Sequence, residues 1–117
     1  NAISACLVGS EMCIRDSPEL DDKWPATLSK KIISDIIRDW IGFNGVLVTD
    51  CLFMKALCGT MPERIQRCLE VGCDLALHSH GELVDLEKAV VGMQPISDLS
   101  WERWEKSLDW LNEKTNY

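Results

Sequence analysis

The chain has 117 residues, and its 12 Lys and Arg stand against 19 Asp and Glu, for a net charge of −7. An acidic chain carries no electrostatic footprint for nucleic acid or an anionic membrane surface. No apolar run approaches the roughly 20 residues that a bilayer-spanning helix needs. Cys51, Cys58, Cys68 and Cys73 form no C-x-x-C pair and several sit in apolar patterns. Buried free thiols are therefore expected, rather than a disulfide framework or a zinc site, and with them a reducing compartment such as the cytoplasm.

Taken in chain order, the first feature is Leu7 to Ser17, LVGSEMCIRDS. These eleven residues look like one reading frame of a sequencing-library adapter translated as though it were a gene, and such segments are excluded from fold reasoning. Residues 1–17 are accordingly read as non-native, with the native part beginning near Pro18 as a portion of one domain.

Pro25 to Ile41 has the punctuation of a helix. Thr27 or Ser29 suits the cap, and Leu28, Ile32, Ile33, Ile36, Ile37 and Trp40 recur at helical spacing. Gly42 follows where a left-handed terminal residue is wanted, and Asn44-Gly45 then reads as a helix-to-strand loop. Gly45 to Thr49 is predicted as a strand, because Val46, Leu47 and Val48 make a continuous apolar run suited to burial on both faces. Cys51 to Gly59 is a loop or short helical turn. Pro62 opens the next helix, with Ile65, Cys68 and Leu69 on one side and Gly72 ending it.

Asp74 to His78 is a second apolar strand, and Gly81 to Gly92 a helix with Leu83, Leu86 and Val90 at spacings of three and four. A loop over Gln94 to Ser97 precedes a last helix, capped by Ser100 and running to about Lys114. Its stripe of Trp101, Trp104, Leu108 and Leu111 has a helical period and is read as core packing rather than a sugar-stacking platform. Glu82, Asp85, Glu87 and Lys88 read as a solvated helix face. Strands alternating with helices imply an α/β fold with a parallel sheet.

Asp50 is the candidate with the most chemistry behind it. It follows the first strand directly, and in barrels of alternating strands and helices that end is where catalytic groups gather. An ordinary carboxylate capping a turn is the plainer alternative. His78-Ser79-His80 ends the second strand, but no acidic or thiol ligand at clear spacing completes a metal set, so a polar strand-end loop is the reading there.

Three segments in order carry a family resemblance. PATLS at Pro25 to Ser29 opens the helix before the candidate strand. GFNGVLVTDCLFMKAL at Gly42 to Leu57 is similar to a G-F-x-G-hydrophobic-x-[ST]-D-x-L-x-M-x-[AG] signature, and ERIQRCLEVGCDLAL at Glu63 to Leu77 to the helix and strand that follow it. Together they resemble bacterial β-N-acetylhexosaminidases of glycoside hydrolase family 3, over about Leu20 to Ile96.

The resemblance implies the C-terminal part of a (β/α)8 barrel over residues 18–117. It implies Asp50 as the nucleophile of a retaining hydrolysis that releases terminal N-acetylglucosamine from β-linked glycans, as in peptidoglycan recycling. Met54 matches a methionine near the sugar pocket, Asp74 matches a turn residue read as structural, and no cofactor or metal is implied. The family's His-Asp acid/base pair and its Lys-His and Arg sugar-binding residues belong to earlier motifs that this sequence lacks. Cys51, where β-glucosidases of the family usually carry tryptophan, favours the hexosaminidase branch. A β-glucosidase-type hydrolase and a catalytically silent fragment or interaction module are the alternatives; an unrelated doubly wound domain would want a phosphate-binding turn, and no G-x-G-x-x-G or P-loop is present.

Overall fold

The computed structural model describes residues 19–55, 57–79 and 81–115. Residues 1–18, and with them the adapter-like segment, lie outside the described residues, as does His80. A short 3-10 turn at Ala26–Leu28 leads into helix α1 (Lys31–Trp40). Strand β1 (Val48–Cys51), helix α2 (Met61–Glu70), strand β2 (Leu75–Leu77) and helices α3 (Leu83–Val91) and α4 (Asp98–Thr115) follow. The strands pair in parallel, as alternation with helices predicts.

The first predicted helix is divided in two. Ser29 adopts an extended conformation and is fully buried; its Oγ accepts from Ile32 N–H at 3.1 Å and donates to the Asp21 carboxylate. Of the two cap candidates, Ser29 is therefore the one used, and Thr27 is buried in the turn before it. Beyond it α1 is wound as a π-helix, with Ile41 N–H reaching back five residues to Ile36 C=O at 2.8 Å. Wider winding moves side chains off a 3.6-residue face. Ile32 and Ile33 are buried, Ile36 and Ile37 are half-buried, and Trp40 is 79% exposed. Gly42 stands just past the end at φ +73°, the left-handed turn its position calls for.

Strand β1 lies further along the chain than its apolar run predicts. Leu47 C=O already accepts from the N–H groups of Asp74 (2.9 Å) and Leu75 (3.2 Å), yet the regular strand begins only at Val48 and includes Asp50. The ladder pairs Val48 with Leu75 and Cys51 with Leu77, so three steps on β1 match two on β2. The surplus is absorbed at Thr49, a buried residue whose Oγ1 takes the Leu77 N–H at 2.9 Å in place of a main-chain carbonyl. Bulges of this kind bend a strand and re-aim its side chains.

A single apolar cluster sits between α2, α1 and the sheet, centred on Leu28, Ile33, Leu52, Ile65, Cys68 and Val71. Helix α2 follows its sequence reading closely: Ile65 and Cys68 are buried, Leu69 is half-buried, and Gly72 turns the chain at φ +115°. Thr60 N–H and Oγ1 both donate to Glu63 Oε2, at 2.7 and 2.9 Å, closing the first turn. Helix α3 crosses α2 so closely that a Cβ on Gly92 would stand 2.5 Å from Pro62 Cα. Glu82, Glu87 and Lys88 are exposed, as a solvated face requires, and Asp85 beside them is half-buried and accepts from Glu82 N–H at 3.0 Å, capping α3.

The apolar stripes of the last two helices are left uncovered, which overturns the core-packing reading of α4. Leu83, Leu86 and Val90 are 71%, 44% and 61% exposed, and only Ala89 of α3 is buried. In α4, Trp101, Trp104, Leu108 and Leu111 are all exposed, against the expectation of core packing. The two-stranded sheet is too small to cover them, and α4 is anchored instead by polar residues. Its cap is also one turn earlier than expected: Ser97 Oγ accepts from Ser100 N–H at 3.1 Å, which places Ser100 inside the helix and buried.

Cys51, Cys68 and Cys73 are buried free thiols, as the sequence predicts, whereas Cys58 is exposed. Burial pushes the Cys68 thiol up to about 11 and the Cys73 thiol to about 12. Because the thiolate is the reactive form, Cys58 is expected to alkylate first of these four in the folded protein, with Cys68 and Cys73 labelled only on unfolding. Peptide mass spectrometry after a timed iodoacetamide pulse reads this order.

Candidate active site

Parallel pairing brings the carboxyl ends of β1 and β2 to one rim. Asp50 is the third residue of β1, half-buried between buried Thr49 and buried Cys51. Its Oδ1 accepts from Cys51 N–H at 2.7 Å, which fixes the carboxylate against its own strand. The chain then runs into the loop over residues 52–59, where Leu52 and Leu57 are buried anchors. Met54 lies on this loop, half-buried, with its side chain leaning on the apolar cluster. The structure thus puts Asp50 and Met54 on one rim, the first on the strand and the second on the loop directly behind it.

On the neighbouring strand, Leu52 N–H donates to Leu77 C=O at 3.0 Å and Ser79 N–H to Cys51 Sγ at 3.4 Å. These bonds keep the two strand ends level. His78 emerges at the same rim, its ring edge-on to Phe53 with centroids 5.7 Å apart and planes at 73°. Neither of the two buried His78 ring nitrogens has a hydrogen-bond partner among the described residues. Among the described residues no three His, Cys, Asp or Glu side chains converge as a metal site. The arrangement offers an anchored, half-buried carboxylate at the carboxyl end of a strand, with the Phe53–His78 ring pair on the same rim, and an ionised carboxylate so fixed suits attack on an electrophilic carbon.

At the opposite end of β2 lies an ion cluster that sequence reasoning saw only as a turn. Asp74 is 5% exposed and receives Arg38 Nη2 at 2.5 Å, Arg103 Nη1 at 2.8 Å, Ser100 Oγ at 2.6 Å and Leu47 N–H at 2.8 Å. Burial by itself would raise the Asp74 pKa; the hydrogen bonds from Ser100, Leu47, Arg103 and Arg38 outweigh it and hold the carboxyl below the ordinary aspartate value. Arg38 also donates to the carbonyls of Phe43, Gly45 and Gly72, so one guanidinium joins α1 to both loops that enter the strands. A cavity of about 430 Å³ adjoins this cluster, lined by Asp74, Met93, Ile96, Leu99 and Arg103 among others, and does not reach Asp50. This cavity therefore lies at the end of β2 away from Asp50.

Sequence reasoning also passed over Arg64. From the first turn of α2 it reaches back across the loop that follows Asp50. A basic residue in a helical turn where acidic residues are favoured is the signal that marks it.

Comparison with known proteins matches residues 7–103 to the Glycosyl hydrolase family 3 N terminal domain. A Beta-hexosaminidase from Stenotrophomonas maltophilia is 43% identical over 63 residues, covering 52% of this chain and 19% of the relative. A Beta-hexosaminidase from Neisseria gonorrhoeae is 35% identical over 96 residues, 78% of this chain and 26% of that protein. A Beta-N-acetylglucosaminidase/beta-glucosidase from Cellulomonas fimi is 33% identical over 58 residues, covering 48% of this chain and 10% of its own length. The chain thus spans 19% of the length of the first of these curated relatives. A domain match across most of the sequence, over the elements that carry Asp50 and Asp74, shows that the chain belongs to glycosyl hydrolase family 3.

Proposed function

We propose that residues 18–117 are the C-terminal portion of the (β/α)8 catalytic barrel of a β-N-acetylhexosaminidase. Strands β1 and β2 are two neighbouring staves of that barrel. The family match reaches back to residue 7, so the junction near Pro18 rests on the adapter-like stretch rather than on the alignment.

In this reading Asp50 attacks the anomeric carbon of a terminal, non-reducing N-acetylglucosamine. The C–O bond to the aglycone breaks as an acid elsewhere in the barrel protonates the leaving oxygen. Water then cleaves the glycosyl–Asp50 ester with retained configuration. The observation that carries the proposal is the half-buried Asp50 carboxylate, anchored at the carboxyl end of a parallel strand inside the family's own segment. Met54 on the following loop is assigned a contact with the sugar. Peptidoglycan recycling in the cytoplasm is the matching role, and three buried free thiols suit a reducing compartment.

A β-glucosidase activity is the second reading, supported by the double name of the Cellulomonas fimi relative. The enzyme completed upstream of Pro18 is expected to release nitrophenol from p-nitrophenyl N-acetyl-β-glucosaminide in preference to the β-glucoside. Preference for the glucoside would select the second reading, and hydrolysis of neither would end both. The 117-residue chain assayed by itself is expected to be silent, because the acid/base motif is not in it.

A further inference from the structure

Arg64 is the side chain that the proposed chemistry leaves unexplained. It occupies the first turn of α2, where the partial positive charge of exposed N–H groups disfavours a cation. Its guanidinium turns away from that helix and donates to four main-chain carbonyls of one loop: Nε to Gly59 at 3.0 Å, Nη1 to Leu52 at 2.7 Å and Met54 at 3.3 Å, and Nη2 to Leu57 at 2.5 Å. That loop begins two residues after Asp50 and carries Met54. Among the described residues its internal main-chain bonds are long, with Met54 N–H to Cys51 C=O at 3.4 Å and Leu57 N–H to Met54 C=O at 3.2 Å. One guanidinium that grips Leu52, Met54, Leu57 and Gly59 together ties the shape of the loop to that residue.

We infer that Arg64 is a positioning residue: it sets the loop after Asp50 so that the carboxylate and Met54 present one fixed geometry to the sugar. The inference rests on Asp50 being the nucleophile. Arginine suits this task because its planar fork spans several acceptors at once, whereas a lysine ammonium serves as a point charge that cannot reach all four. The cost of local mismatch with α2 is what one expects where a residue serves a site rather than its own element.

The test compares Arg64→Met and Arg64→Lys in the completed enzyme. Two readouts are taken, steady-state kinetics and hydrogen exchange of the amides in residues 52–59 and 75–77. Misplacing a reacting group by about 1 Å costs on the order of 10²-fold in rate. Arg64→Met is therefore expected to lose about that in kcat while KM moves little, and Arg64→Lys to fall between it and the parent. Exchange should quicken in the loop and stay unchanged in β2. Parent-like kcat and loop protection in both variants would overturn the inference. So would a loss of protection shared equally by β2, which is the mark of a merely structural role. If Arg64→Met fails to fold, Arg64→Lys alone carries both readouts. The nucleophile reading fails separately, through an active Asp50→Asn enzyme, and the loop exchange data still report the clamp.

Discussion

Replacing Asp50 with asparagine in the completed enzyme is expected to reduce kcat by on the order of 10⁴-fold or more, as removal of a covalent nucleophile does elsewhere. Asparagine is chosen because it discriminates. Its side-chain oxygen can still accept the Cys51 N–H bond at 2.7 Å, so the local turn survives. If Asp50 were only an ordinary strand-end cap, asparagine would serve nearly as well and the rate would hardly move. If the carboxylate attacks carbon, the amide cannot replace it, and turnover is lost while the fold remains. An Asp50→Asn enzyme with substantial hydrolysis, its circular dichroism unchanged, removes Asp50 from the mechanism.

The largest stability effect is expected at the other end of the sheet. Asp74→Asn keeps the shape but leaves Arg38 and Arg103 facing an uncharged amide in a buried cluster; their side chains are 11% and 13% exposed. Removing one member of a buried ion cluster costs about 3–5 kcal/mol. Urea unfolding should show the free energy of unfolding fall by that amount, with the midpoint moving down in proportion, and a change within experimental error would show that the cluster is dispensable. The pH dependence follows from the direction of the shift. The folded Asp74 carboxyl titrates below its ordinary value of 3.8, so its contribution is fully present above the unfolded value and fades as pH drops through the lowered one. Acid unfolding of the parent should therefore steepen below about pH 4, and Asp74→Asn should flatten that slope.

How far the sequence foretold this arrangement depends on what each element answers to. Helix α2 was legible from Pro62 and Gly72, since turns at helix ends are fixed by a few adjacent residues, although the Thr60 cap went unread. The end of α1 at Gly42 was legible for the same reason. The phase of β1 was not: Val46 to Val48 look like the strand, but pairing with β2 and the Thr49 hydroxyl decide where the ladder runs. The wide winding of α1 left no mark in a spacing that fits an ordinary helix, and so Trp40 was placed on the wrong face.

The stripes on α3 and α4 were real patterns, but a pattern says which side is apolar and not whether a neighbour covers it. For the candidate site, a motif and a strand end put Asp50 at the end of β1 and Met54 on the loop behind it, and those positions are the ones the fold gives them. The partners of Asp74 could not be read, because Arg38 and Arg103 lie 36 and 29 positions away and meet only in the fold. Arg64 was nearer to hand, since its anomaly lay in its local position.

The extra residue in β1 works as a phase shifter between two registers. Up to Val48 the chain keeps step with β2; past Thr49 it is half a pleat ahead, and Asp50 is presented on that second phase. Shortening the strand by one residue before Asp50 would thus not trim the rim slightly but invert it, exchanging the directions of the carboxylate and the thiol beside it. Spacing there is fixed by parity rather than by length, and insertions or deletions would be tolerated upstream only in compensating pairs.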